Sequence, residues 1–257
     1  MYLTTPALVI RVTAYNDKDA LLTLLTPNHG KLTVKARGLY RKNSPLSASC
    51  QLLAYGEFTL FEYRAMYTVN EAHSLELFTA LRRDLQKLSL GTYFAQAAEL
   101  FSQEDLPNPE LLSLTLNCLY ALSKLTVPEI QIKAVFELRG ACLAGYAPDL
   151  YSCHCCGNSV ADRFDLSEGR LECSGCRDHS SEGIRMPVTP GVLETMRYIT
   201  ACDGKKLFSF SAGTDTLEQL AAITESYLTT QLERGFSTLD FYKSLLIPFT
   251  DTGENNV

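Results

Sequence analysis

Cys153-His154-Cys155-Cys156-Gly157 and Cys173-Ser174-Gly175-Cys176 put five of the chain's nine cysteines within 24 positions. Two Cys-x-x-Cys pairs separated by 16 residues constrain the local fold strongly. Each pair turns two thiolates toward one point, and two such turns close a tetrahedron around a cation. The ligand set read from the spacing is Cys153, Cys156, Cys173 and Cys176, with His154 and Cys155 as neighbours able to substitute. Four thiolates leave no open coordination position, so one Zn²⁺ with a structural role is expected. Gly157 and Gly175 are expected to relieve the two turns. Residues 163–173 alternate as a short hairpin should. The polar stretch 147–187 has few large apolar residues, so metal binding would supply much of its folding energy.

The beginning of the sequence has no positive segment ahead of an apolar core, and nine cysteines is an odd count. A disulfide framework is therefore not expected, and the expected location is cytoplasmic. No run reaches the ~18 apolar residues of a membrane span. Cys50, Cys118, Cys142 and Cys202 lie in apolar surroundings and read as small buried hydrophobes. With 46% hydrophobic and 20% charged residues, the chain has the composition of an ordinary globular protein, long enough for two units.

The periodicity divides the chain. Residues 7–73 are rich in Val, Ile, Thr, Tyr and Phe, and turn residues such as Pro27-Asn28-His29-Gly30 cut them into five short strands, enough for a small barrel. Phe58, Phe61, Tyr63 and Tyr67 are expected in its core. After Leu75 the period changes: Leu77, Leu81, Leu85 and Leu88 mark one helical face. Asn108-Pro109-Glu110, Pro128 and Thr189-Pro190 each open a helix. Asp215 with Glu218 reads as a capping box for a helix running to Arg234, ended by Gly235. The organisation expected is α+β: a barrel over 1–78, then an all-helical domain over 79–257 carrying the cysteine module at about 147–187.

Charge is uneven. Residues 1–87 hold 11 Lys/Arg against 7 Asp/Glu, whereas 88–257 hold 12 against 22. Lys31, Thr33, Lys35 and Arg37 fall on one face of a strand, since alternate residues share a face. With Arg11 nearby and the loop residues Tyr40, Arg41, Lys42 and Ser44 beyond, they form a basic stripe. Such a stripe tracks a phosphate backbone, Tyr40 stacking on a base and Ser44 bonding a phosphate; the alternative is a merely solvated strand face. No phosphate-binding glycine loop, nucleophile elbow, His-Glu-x-x-His or His-x-Glu occurs, so no enzyme is expected.

The run 7–48, with Asp19, Thr26, Gly30, Lys31, Gly38 and Ser44 in place, resembles the amino-terminal domain of the RecO family of bacterial recombination mediators. The cysteine pairs resemble that family's zinc-binding insertion, and Phe241-Tyr242-Lys243-Ser244-Leu245-Leu246 its closing helix. The resemblance implies an OB-fold (oligonucleotide/oligosaccharide-binding) barrel, a helical domain with a zinc module, and a role in the RecF pathway of DNA repair. It further implies a nucleoid-associated protein that binds single- and double-stranded DNA, anneals complementary strands, contacts the single-strand-binding protein SSB, and acts with RecR to let RecA load. The acidic, apolar tail of such an SSB needs a cation beside an apolar groove; Arg234, Phe236, Phe241 and Lys243 offer that chemistry. The competing reading is a zinc-stabilised scaffold that binds proteins alone.

Overall fold

A computed structural model describes residues 1–176 and 183–247; residues 177–182 and 248–257 lie outside it. Five strands, β1 (Tyr2–Ala14), β2 (Ala20–Leu25), β3 (Lys31–Ala36), β4 (Tyr55–Tyr63) and β5 (Met66–Glu76), close into a barrel in the order β1-β2-β3-β5-β4. The shortest seam is the parallel β3–β5 contact, Val34↔Tyr67 and Lys35↔Thr68. Leu22, Leu24, Val34, Phe58 and Leu60 fill the interior and are wholly buried. Strand alternation corrects the expectation for the aromatics: Phe58 and Leu60 point inward, so Phe61 and Tyr63 must point out. Phe61 and Tyr63 are exposed, Phe61 resting on Tyr2 with ring centroids 5.2 Å apart, and Tyr67 is half-buried.

The second half is built from α1 (Leu85–Phe101), α2 (Pro109–Lys124), α3 (Glu129–Leu143), α4 (Pro190–Ala201), α5 (Thr214–Gln231) and α6 (Ser237–Leu246). The helical face expected from Leu77 begins later. The strand β5 runs to Glu76, a 3₁₀ turn takes Leu81–Arg83, and α1 starts after Asp84, whose carboxylate accepts from the Lys87 N–H at 3.1 Å. Asn108 caps α2, accepting from the Leu111 N–H at 3.0 Å. Asp215 and Glu218 make no capping box: α5 starts from Gly213 without a side-chain cap and ends at Gln231. Tyr93, Phe94, Phe136 and Phe236 form the centre of the helical core.

This half is not all-helical. Between α3 and α4 lies a four-stranded sheet, β6 (Asp149–Cys153), β7 (Arg163–Asp165), β8 (Arg170–Glu172) and β9 (Arg185–Pro187), in the order β6-β8-β7-β9. The expected hairpin is its β7–β8 pair. Leu150, Phe164 and Leu171 belong to the same apolar cluster as the helices, and Phe164 meets Tyr227 of α5 edge-on at 5.2 Å.

Barrel and helices meet at Gly30, whose φ of +59° is the left-handed conformation glycine tolerates. A Cβ there would lie 2.0 Å from the Gln103 carbonyl oxygen. The Lys31 N–H donates to that same carbonyl at 3.1 Å.

Candidate metal centre and nucleic-acid interface

The sequence brings the two cysteine pairs together through β6 and the turn after β8. The metal-binding atoms of Cys153, Cys156, Cys173 and Cys176 all lie within 4.8 Å of one another. Cys156 Sγ and Cys173 Sγ are 3.7 Å apart, close to the ~3.8 Å edge of a tetrahedron with ~2.3 Å metal–sulfur bonds. The first turn closes on itself, the Gly157 N–H donating to the Cys153 carbonyl at 2.8 Å, with Gly157 at φ +73°. Gly175 differs from expectation: its φ is not left-handed, and a Cβ there would meet nothing nearer than Cys173 Sγ at 3.9 Å.

The electrostatics suit a cation. Burial raises the Cys153 thiol, but the backbone amides of Cys156, Cys173 and Cys155 outweigh it and hold the group at about 6. Crowding by the Cys156 and Cys173 sulfurs pushes Cys176 up; a bound cation relieves that crowding. His154 and Cys155 stay outside the cluster: His154 Nε2 lies 3.4 Å from Glu172 Oε1 and 3.2 Å from Cys155 Sγ. The four-sulfur set therefore fits a tetrahedral metal, and four thiolates are a donor set that structural Zn²⁺ favours.

The basic stripe alternates as expected on β3, Thr33 and Lys35 outward and Leu32, Val34 and Ala36 inward. Much of it is engaged within the chain, which the local pattern could not reveal. Lys31 Nζ donates to the Glu99 carbonyl at the end of α1, 3.1 Å away, and Arg11 Nη2 pairs with Glu99 Oε1 at 3.1 Å. These two cations fasten the barrel to the helices. Lys35 pairs with Asp19 at 3.1 Å and lies over the Tyr15 ring, 4.5 Å from its centroid. One continuous free stripe is thus not what the fold presents. Arg37, Arg41 and Lys42 are exposed and form no ion pair among the described residues.

Asp19, one of the residues that carry the family resemblance, holds this loop. Its carboxylate accepts from the Gly38 N–H at 2.8 Å, from Lys35 Nζ, and from Asn16 Nδ2 at 3.1 Å. The Gly38 amide first, then Lys35 and Asn16, hold its pKa down at about 2. The Tyr40 N–H donates to the Lys18 carbonyl at 3.1 Å and the Ser44 N–H to the Arg41 carbonyl at 3.2 Å, so Arg37 to Ser44 is a built loop. The Ser44 hydroxyl accepts from the Leu46 N–H at 3.4 Å.

The four residues expected at a partner surface separate. Phe236 is 2% exposed, with its ring edge-on to Tyr93 at 5.2 Å; burial removes it from any such surface. Phe241 is 50% exposed and lines a cleft of about 280 Å³ between α1 and α6 with Leu85, Leu88 and Thr92. Ser89 Oγ, buried at that cleft, has no hydrogen-bond partner among the described residues. Lys243 pairs with Glu225 at 2.7 Å, while Arg234 is exposed.

A closed five-stranded barrel, fastened to a helical half that carries four cysteines placed to hold a metal ion, is the two-part architecture of this chain. Residues 1–78 match the family model for the Recombination protein O N terminal, and residues 82–240 that for the Recombination protein O C terminal. The chain belongs to the RecO family. It is 34% identical over 246 residues to the DNA repair protein RecO of Acetivibrio thermocellus, covering 95% of this chain and 97% of that one. The RecO of Alkaliphilus metalliredigens is 29% identical, covering 95% and 100%, and that of Bacillus pumilus 27%, covering 88% of each. No helix among the described residues is long and apolar enough to cross a membrane.

Proposed function

We propose that this protein is a non-catalytic DNA-repair mediator that binds single- and double-stranded DNA through its barrel and anneals complementary strands. With RecR it would help RecA load on SSB-coated single strands. The observation that carries this reading is the loop leaving β3, where Arg37, Arg41 and Lys42 stand exposed and without an ion-pair partner among the described residues, on a backbone braced by Asp19. Cations held ready and without internal partners are what neutralising phosphates requires. The metal centre is structural in this reading, with Zn²⁺ the metal its donor set favours. An SSB tail, acidic and apolar, would lie in the α1–α6 cleft at Phe241.

The test is a salt titration of oligonucleotide binding. Each cation paired to a phosphate of a single strand contributes about 0.7 to the slope of log affinity against log salt. An Arg37→Ala, Arg41→Ala, Lys42→Ala variant should therefore lower the slope by about 2, bind every sequence more weakly, and anneal strands more slowly. Unchanged affinity and slope would move the DNA surface elsewhere on the protein, whereas no oligonucleotide binding at all would favour a scaffold that binds proteins alone.

A further inference from the structure

Next to the basic loop the barrel carries a cleft of about 300 Å³, at the small end of the range for ligand sites and sized for one ring system rather than a strand segment. Val12, Leu39 and Leu52 supply apolar lining, and Tyr40, 50% exposed, stands in its wall. Ser47, Cys50, Gln51 and Arg82 line the rest, and the Ser47 hydroxyl already donates to the Ser44 carbonyl at 2.9 Å. Arg82 is anchored by one nitrogen, Nη2 donating to the Leu52 carbonyl at 2.7 Å; among the described residues it has no ion-pair partner and its other N–H groups form no hydrogen bond. Gln51 Nε2 donates to the Ser47 carbonyl at 3.0 Å, which leaves its amide oxygen as an acceptor. An aromatic face, an apolar floor, a fixed donor and a fixed acceptor meet in one small space.

We propose that this cleft takes a single unstacked nucleobase from a DNA strand whose phosphates lie along Arg37, Arg41 and Lys42. The inference rests on the DNA-binding reading above and deepens it by naming which part of the strand is held and where. Charge favours this occupant: the cations beside the cleft have no ion-pair partner among the described residues, and a base entering it brings its phosphates to them. A base has flat faces for Tyr40 and an edge of donors and acceptors for Arg82 and Gln51. Bases within a duplex are stacked and cannot enter, so the cleft would give the protein a preference for single strands that the phosphate contacts alone do not provide. Every base has a π-face, so the preference would tolerate sequence.

Fluorescence anisotropy with the full chain tests this, using a labelled thymidine strand, an abasic strand of equal length and a duplex. Wild type should bind the thymidine strand about 5-fold or more tighter than the abasic one, as expected for stacking of one base on an aromatic ring. Their salt slopes should be equal, since the phosphates are the same. Tyr40→Ala should erase that difference and weaken the thymidine strand more than the duplex, Tyr40→Phe should keep it, and Arg41→Ala should weaken intact and abasic strands alike. Equal wild-type binding of the two strands would overturn the base site while leaving DNA binding standing, as would equal losses on single strand and duplex in Tyr40→Ala. Absence of binding to all three would overturn both readings.

Discussion

At the scale of single residues, Asp19 shows how one carboxylate can organise a surface of opposite charge. It neutralises Lys35 and accepts from Gly38, and so fixes the loop on which the unpaired cations stand. Its pKa is depressed to about 2 from an ordinary value near 3.8. A carboxyl depressed on folding contributes its stability in full above the unfolded value and loses it as pH falls toward the folded one. The window is thus about pH 4 down to about pH 2. Asp19→Ala should remove this part of the acid limb in a plot of melting temperature against pH, and should raise hydrogen exchange across residues 37–44. An acid limb superimposable on wild type, with exchange unchanged, would show that the loop is held by other means. None of this was legible locally. The resemblance marked Asp19 without saying what it binds, and its partner Gly38 lies 19 residues on. Lys31 carried the same limitation, because strand alternation fixes the face of a side chain but not the helix carbonyl, 68 residues away, that it meets there.

At the scale of elements, signals that act within a few residues were read well. α2 and α4 start where Pro109 and Pro190 put them, at the first helical position, Asn108 capping α2 while the Thr189 hydroxyl donates to Gln219 instead of capping α4. The Asp215–Glu218 box failed because Gly213 and Thr214 already allow the turn, leaving Asp215 in the first turn of α5 rather than before it. α6 mixes both outcomes: its helical spacing turns Phe241 outward and Tyr242 inward, and Phe236, its N-cap residue, packs on Tyr93. The cleft between α1 and α6 therefore rests on Phe241 as its one large exposed aromatic. A peptide with an acidic, apolar end should bind there, and Phe241→Ala should weaken it about 10-fold or more, as for a central aromatic anchor. Lys243→Ala should matter much less, since Lys243 is paired with Glu225. Calorimetry on the three proteins would decide. Peptide affinity unmoved by Phe241→Ala would clear this cleft of the role.

At the scale of the whole molecule, the cysteine module was legible as a motif, yet its integration was not. Spacing alone describes a self-contained knuckle held by metal, and nothing local says what the knuckle rests on. In the fold, Phe164 of β7 packs on Tyr227. Gln231 Nε2 donates to the carbonyls of Leu166 at 2.7 Å and Ser167 at 2.9 Å, and Arg197 Nε donates to the Leu150 carbonyl at 2.7 Å. The module's sheet is therefore part of the helical core, so a metal held by its cysteines would stabilise α4 and α5 as well. Purified protein should contain one equivalent of zinc by elemental analysis. Stripping it with a chelator, or replacing Cys173 by Ser, should lower the melting of the entire helical half in a single transition rather than loosen a detached finger. Binding of DNA below that transition should persist, because Arg37, Arg41 and Lys42 stand on the barrel and not on the module. Helical melting that is indifferent to metal would show the sheet to be held by its apolar packing alone. Loss of DNA binding with the helices still folded would instead give the module a direct part in the contact, and the barrel loop would no longer suffice as the surface.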